Sequence, residues 1–290
     1  MEQIGIFAWF GFFLPLAERL RLIGEAGFSH ASLWWGHEFE ETDGSLDTHP
    51  ALARAHGLAI DSVHLPYADS NLLWEDSLRG DAYHRLLTGL LAQCGTHRIP
   101  VAVLHPNDGP QPPPTNPIGR ERIRRLAEMA ERNGTVLALE NLHVTRTLDE
   151  LLDEIEAPSL GFCYDAGHDH IFGQPPGALL ARHGQRLACL HLHDNDGVLD
   201  RHGLPGTGAV DWIRRIGEIR AAGYRGVWSL EAVRPYLPAT DATGEPASFE
   251  PDRPEEALHW LLGAKAALLG CLAEAPAGRI VTPEKRTMPD

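Results

Sequence analysis

Short apolar runs of strand length alternate with longer amphipathic stretches along almost the whole chain. The runs fall at residues 4–9, 29–35, 58–64, 101–105, 136–140, 160–165, 187–193 and 227–231. Between and after them, apolar positions recur at helical spacing over 15–26, 49–56, 81–94, 118–133, 148–157, 177–183, 210–222 and 254–272. Strand–helix alternation implies a parallel sheet, and near-even spacing of the units predicts a closed (β/α)8 TIM barrel in a single α/β domain. Gly27, Gly57, Gly134 and Gly223 each follow a helical stretch and precede a strand, where glycine accepts a left-handed backbone. The barrel is expected over residues 1–273, with a loosely held tail over 274–290 that is rich in proline, glycine and charge. The segments 110–117 and 235–254 read as loops on one rim of the barrel.

The length of 290 residues suits one barrel, which needs roughly 250. The apolar fraction of 43% is enough for a core. No uninterrupted run of eighteen apolar residues occurs, so no membrane-spanning helix is expected. The apolar N-terminus lacks a basic leader and a small-residue cleavage site, and reads as the first strand. The cysteines (Cys94, Cys163, Cys189 and Cys271) form no C-x-x-C pair, which fits a reduced, cytoplasmic setting. The net charge of −15 repels a phosphate backbone, so nucleic acid is not an expected partner. The arginines among residues 120–125 sit at helical spacing and read as a solvated outer face.

Candidate chemistry gathers at the strand ends. Each run stays apolar until its last residue or two, then turns polar: His64, His105, Glu140 with Asn141, Asp165 with His168, His191 with His193, and Glu231. Asp200 and His202 follow the seventh run. Parallel strands in a barrel aim their C-terminal ends at one mouth, so these groups should converge. So many carboxylates at close quarters repel unless a cation or shared protons offset them. A divalent ion with His and carboxylate ligands resolves that repulsion, and an O/N donor set without thiolate suits Mn, Zn, Mg or Co. Taken alone, any one of these residues could be structural: a His at a strand end, or a Glu reaching solvent. His193 could support a ligand or face the barrel wall.

The pieces "ALEN" (138–141), "YDAGH" (164–168), "HLHDND" (191–196), "DRHGLPGTGAVDW" (200–212) and "LE" (230–231) resemble the xylose isomerase-like, AP-endonuclease-family-2 superfamily of barrels. The resemblance implies a metal held by Glu140, Asp165, His191 and Glu231. It implies a divalent-metal-dependent isomerase or epimerase of a sugar or sugar-like keto compound. Glu140 and Glu231 would be the catalytic pair, exchanging a proton through an enediolate. One ion is favoured. Up to three are implied by a second resemblance, to endonuclease IV, a zinc phosphodiesterase acting on abasic DNA. Its ligand pattern matches His64, His105, Glu140, Asp165, His168, His191, Asp200, His202 and Glu231 here, and these extra residues otherwise serve as substrate contacts. That branch carries an "ENTAGQG"-like stretch where this chain reads "ENLHVTRTLDEL". A non-catalytic metal- or sugar-binding barrel is a third reading, disfavoured by the paired glutamates. Trp9, Trp35 and Trp74 are expected as apolar walls for the substrate, and Asn141 and Asp194 as groups that orient ligands. A small-molecule substrate, no membrane and homo-oligomers complete the expectation.

Overall fold

The computed structural model describes residues 2–235 and 252–275. The expected tail therefore lies outside the described residues from position 276 onward, and so does most of the loop expected after the eighth strand. The strands are β1 (Ile4–Phe7), β2 (His30–Trp34), β3 (Ala59–His64), β4 (Val101–Leu104), β5 (Val136–Glu140), β6 (Leu160–Asp165), β7 (Leu187–His191) and β8 (Trp228–Leu230). The helices are α1 (Leu16–Glu25), α2 (Glu40–Asp43), α3 (His49–Ala55), α4 (Leu78–His97), α5 (Pro117–Arg132), α6 (Thr145–Glu154), α7 (Ala166–Phe172), α8 (Ala178–His183), α9 (Trp212–Ala221) and α10 (Pro254–Glu274).

All eight strands pair in parallel in the order β7-β6-β5-β4-β3-β2-β1-β8. The ring closes just past β7, where Leu192 bridges Leu230 in parallel. There Leu192 N donates to Ser229 O at 3.0 Å, and Glu231 N donates to Leu192 O at 3.0 Å. The result is the single TIM barrel that the alternating pattern predicts. Strand starts hold best against expectation. Strand ends fall short wherever the apolar run continues into the loop, as after Phe7 and His191.

Side chains alternate between the two faces of each strand. The face that packs against the helices forms the large core, with Leu33, Leu104, Leu139, Phe162 and Leu190 all buried. The inward face is filled by smaller groups: Val101, Val103, Ala138, Cys163 and Cys189 form a separate buried cluster. On the other side of the lumen Ser32 Oγ meets Ser62 Oγ at 2.9 Å and Ser229 Oγ at 3.2 Å. By the same alternation Ala138 lies beneath Glu140, Cys163 beneath Asp165, Cys189 beneath His191, Ser62 beneath His64 and Ser229 beneath Glu231. Small residues in the lumen thus form a floor on which larger polar side chains stand at the mouth.

Helix α10 is long and apolar enough to cross a membrane by length and composition, although the chain lacks an uninterrupted apolar run. One face of it, including Leu261, Ala264 and Leu268, packs onto the barrel beside α1 and α9. Lys265 Nζ donates to Ala26 O and Gly27 O at 3.1 and 2.7 Å, tying α10 to the C-terminus of α1.

Leu190 is fully buried in the seam between β7 and the helices. Replacing it by Ala should lower the unfolding free energy by about 2–5 kcal/mol. The effect is read as a fall in the urea midpoint at unchanged slope, and an unaltered midpoint would show that this seam does not hold the barrel.

Candidate metal centre

Glu140, Asp165 and His191 are the last residues of β5, β6 and β7, and Glu231 follows β8 directly. All of them are buried. One ligand atom from each lies within 4.8 Å of the other three. His191 Nδ1 stands 3.2 Å from Glu140 Oε2 and 3.2 Å from Glu231 Oε2. Two further constellations meet the same spacing: His64 with Glu140 and His191, and His168 with His193, Asp200 and His202. His105 joins at the β4 end, its Nε2 3.4 Å from Glu140 Oε2.

Hydrogen bonds behind these side chains decide which atoms face inward. His64 Nδ1 donates to Leu65 O at 2.8 Å, so its Nε2 turns a bare lone pair toward Glu140 Oε2, 3.4 Å away. His168 Nδ1 donates to Asn141 O at 3.0 Å and presents Nε2 to Asp200 Oδ2 at 3.1 Å. His202 Nδ1 donates to Glu231 O at 2.8 Å and presents Nε2 to the same Asp200 oxygen at 3.2 Å. In each case an acceptor faces an acceptor unless a cation or an added proton lies between them. Glu140 Oε2, His105 Nδ1 and His191 Nδ1 are buried without any hydrogen bond. Glu140 Oε2 and His191 Nδ1, orphaned and 3.2 Å apart, are what a divalent ion satisfies, and these residues fit one.

Without a cation, His168, His191 and His202 favour the protonated form instead. Burial opposes ionisation of Glu140, but the charges of His191 and His105 hold its carboxyl well below the usual range. Burial likewise opposes ionisation of Glu231, yet His191 draws its pKa down to about 2. Burial disfavours the charged form of His202, but Asp200 and Glu231 raise its pKa to about 9. His191 is also lifted well above its ordinary value, against burial, by Glu231 and Glu140. The pocket therefore carries strong local demand for positive charge.

A supporting layer fixes the ligands. Asp165 caps α7: its Oδ1 accepts from His168 N at 2.6 Å, and its Oδ2 faces His193 Nε2 at 3.0 Å. His193 thus supports Asp165 rather than facing the wall. A Cβ on Gly167 would lie 2.0 Å from His193 Cε1, so only glycine lets α7 start this close. Asn141 ties β5 to β6, donating to Asp165 O at 2.9 Å and accepting from Asp165 N at 2.8 Å. Asp194 accepts from Val210 N at 3.1 Å, Gly206 N at 2.9 Å and Trp212 Nε1 at 2.8 Å, pinning the loop that carries Asp200 and His202. His202 itself has φ +46°, a backbone state that side-chain-bearing residues seldom adopt.

Two of the three expected wall residues face elsewhere. Trp35 is fully buried against α4, where its Nε1 donates to Leu90 O at 3.2 Å. Trp74 is buried over Gly119 of α5 and donates to Pro106 O at 2.7 Å. Trp9 stays at the rim, lining a cavity with Trp34, Phe39 and Arg19. The aromatic surface beside the ligands is built by Trp34 and Tyr67. The Trp34 ring stacks on His64 at 5.8 Å, and Tyr67 stacks on His105 at 4.6 Å. Strand parity carries this signal: Trp34 is in register with His64, and the next residue must point the opposite way.

Residues 20–262 match the family model described as xylose isomerase-like TIM barrel. The uncharacterized protein y4fM of Sinorhizobium fredii is 39% identical over 75 residues, 26% of this chain, and the chain spans only 24% of that relative's length. Fructoselysine 3-epimerase of Escherichia coli O157:H7 is 24% identical over 245 residues, covering 77% of this chain and 88% of that protein. In fold, the chain is similar to D-psicose 3-epimerase from Clostridium cellulolyticum H10, solved with D-tagatose, with a TM-score of 0.71 at 15% identity over 93% of this chain and 99% of that one. With its model matched across most of the barrel, the chain belongs to the xylose isomerase-like TIM barrel family.

Proposed function

We propose that this protein is a divalent-metal-dependent isomerase or epimerase of an uncharged keto sugar or similar polyhydroxylated ketone. The observation that carries the proposal is the pair Glu140 and Glu231, on β5 and β8, each 3.2 Å from the same His191 nitrogen. The names of two relatives, fructoselysine 3-epimerase and D-psicose 3-epimerase, support sugar chemistry at the same kind of mouth. Glu140, Asp165, His191 and Glu231 would hold the ion. When bound, it would polarise the substrate carbonyl and offset developing negative charge.

The protein's own groups then do the proton work. One of Glu140 and Glu231 removes the proton next to the carbonyl. The other returns one to the opposite face of that carbon, or to its neighbour, through an enediolate. His168, fixed through Nδ1 to Asn141 O, directs Nε2 at a substrate oxygen. Trp34 and Tyr67 cover the apolar C–H face of the sugar and exclude water. Around the mouth, guanidinium groups are already engaged: Arg201 with Asp196 at 2.5 Å, Arg234 with Asp252 at 2.7 Å and Arg19 with Asp43 at 2.5 Å. Residues 236–251 contain no Lys or Arg. Among the described residues nothing at the mouth reads as a phosphate clamp, which favours an uncharged substrate.

A second reading, an endonuclease IV-like zinc phosphodiesterase, is favoured by one observation: the extra constellation of His168, His193, Asp200 and His202. Against it, the arginines of α5 are paired with carboxylates: Arg120 with Glu154, Arg122 with Asp81, and Arg124 and Arg125 with Glu121. They offer little to a phosphate backbone.

In D2O, the active protein should wash solvent deuterium into its ketose, and Glu231→Gln should slow this by about 10²–10⁴-fold with unchanged far-UV circular dichroism. Exchange at the parental rate would remove Glu231 from the mechanism. Elemental analysis should find about one ion per chain. Three zinc ions together with cleavage of abasic duplex DNA, and no sugar exchange, would establish the phosphodiesterase reading instead. A terminal phosphate ester of the same ketose should exchange roughly fivefold more slowly or worse, because each unpaired like charge brought to about 4 Å costs about 1 kcal/mol even in water. A preference for the ester would refute the uncharged substrate while leaving the proton chemistry intact.

A further inference from the structure

Past β7 the chain makes a loop closed at its base, where Asp194 and Gly203 exchange backbone hydrogen bonds at 2.8 and 2.7 Å. Polar groups tie off its tip. Asn195 Oδ1 accepts from Gly197 N at 2.9 Å, and Asp196 Oδ1 accepts from Val198 N and Leu199 N at 2.9 and 2.8 Å. The tip is ordered by its own bonds, yet it holds two adjacent aliphatic side chains in water: Val198 is 75% exposed and Leu199 53%. Exposed apolar residues scattered singly are ordinary; a neighbouring pair on a tied loop, directly before Asp200, is not. A second apolar group stands after β2. Phe39 is 51% exposed and meets the Trp34 ring edge-on at 5.6 Å. Glu38 Oε2 accepts from Trp34 Nε1 at 3.0 Å and Asp43 pairs with Arg19 at 2.5 Å, so this segment is tied down as well.

Around the ring of strands, β8 and β1 lie between β7 and β2. The two apolar groups therefore bracket the side of the mouth where Glu231 stands. His64, His105, Glu140 and Asp165, on β3 to β6, make the other side polar. A bare ketose is polar on nearly every edge. It would use the polar side and the Trp34 ring, and leave Val198, Leu199 and Phe39 in water. We infer that the substrate is a keto sugar bearing an uncharged alkyl or aryl substituent at the end remote from its carbonyl, and that Val198, Leu199 and Phe39 receive that substituent. The inference rests on the isomerase reading above and narrows its substrate. Charge decides the kind of substituent. Asp196 and Asp200 flank the β7 tip, Glu38 and Glu40 flank Phe39, and Arg201 is engaged by Asp196. An anionic group would be repelled there. A cationic one would lose water against Val198 and Leu199, which offer it neither a hydrogen bond nor a ring face.

The test uses the full-length protein loaded with manganese, and compares D-psicose with its butyl ether at the terminal carbon remote from the carbonyl. In D2O exchange the ether should show a kcat/KM about tenfold above that of the parent sugar, which is what removing roughly two methylene groups from water supplies. The gain should lie in KM, because the substituent is bound alike before and during the proton transfer. Val198→Ser combined with Leu199→Ser alters exposed positions only. It should bring the ether to within about threefold of the parent and leave the parent's rate and the far-UV circular dichroism unchanged. Equal rates for ether and parent, or an advantage that survives the double substitution, would overturn the inference and leave the proton chemistry standing. An ω-aminobutyl ether that outpaces the butyl ether would overturn it too, by assigning the tip to a cation. If neither sugar exchanges, calorimetry separates the two readings. Binding of the ether about tenfold tighter than D-psicose would uphold the subsite and unseat the isomerase, whereas binding of neither would overturn both.

Discussion

Acceptor facing acceptor is the constraint around which the barrel mouth is organised. Glu140 is buried, and the imidazole nitrogens of His64, His105 and His191 approach its Oε2 at 3.2–3.4 Å without hydrogen-bond geometry. Such an arrangement is unfavourable by itself, because buried polar atoms without partners cost on the order of 1–3 kcal/mol each. It persists because the surroundings over-determine it. The ring nitrogens of His64, His168 and His202 that point away are fixed by backbone carbonyls, and Asp165 is fixed by α7 and His193. The stability that tolerates this strain comes from elsewhere, namely the apolar seam between strands and helices.

The same constraint explains the composition of the lumen. Long aliphatic side chains beneath the mouth would lift or crowd the ligands. Serine, alanine and cysteine occupy that level on β2, β5, β6, β7 and β8, and the cluster that includes Val103 completes it. The candidate ligands at the top are divided between rigid strand ends and one loop. Glu140, Asp165, His191 and Glu231 ride on β5 to β8, whereas Asp200 and His202 depend on a loop that Asp194 and the carbonyl of Glu231 hold in place. A centre built on the strands is set by the fold itself. A centre built on that loop is set by a handful of hydrogen bonds.

Much of this was legible in the chain because a parallel barrel converts sequence position into spatial position. The polar residue that ends each apolar run must arrive at the mouth, so His64, His105, Glu140, Asp165, His191 and Glu231 were legible as one group before any coordinates, and the family resemblance picked Glu140, Asp165, His191 and Glu231 from among them. Facing direction was harder to read. Trp34 and Trp35 are adjacent and equally aromatic, and the choice between them depends on the register of β2 against β3, which includes a shift between Ala31 and Leu33. Trp74 was misread for a different reason: it lies in a loop after β3, where no alternation applies, and its partner Gly119 is distant in sequence. The supporting bonds of Asn141 and Asp194 join segments through backbone groups, and backbone groups leave no trace in residue identity beyond a polar residue at an unexpected place.

Charge links the mouth to the outer surface. A chain with a net charge of −15 could attract cations without selectivity, but many of its arginines lie against surface carboxylates. On α5 and around the rim, guanidinium groups lie against carboxylates. The consequence is that the unbalanced negative charge with the strongest electrostatic effect is the buried set at the mouth, where low dielectric magnifies it. A divalent ion would be drawn to that point by the field and held there by geometry. An anionic ligand approaching the same mouth would meet the acidic surface before it could reach the ion. An uncharged polyol would meet no such barrier, and the rings of Trp34 and Tyr67, stacked on His64 and His105, would give its carbon face somewhere to lie. Under the proposed function, selection by charge would happen at the rim, and selection for the carbonyl beneath it, between Glu140 and Glu231.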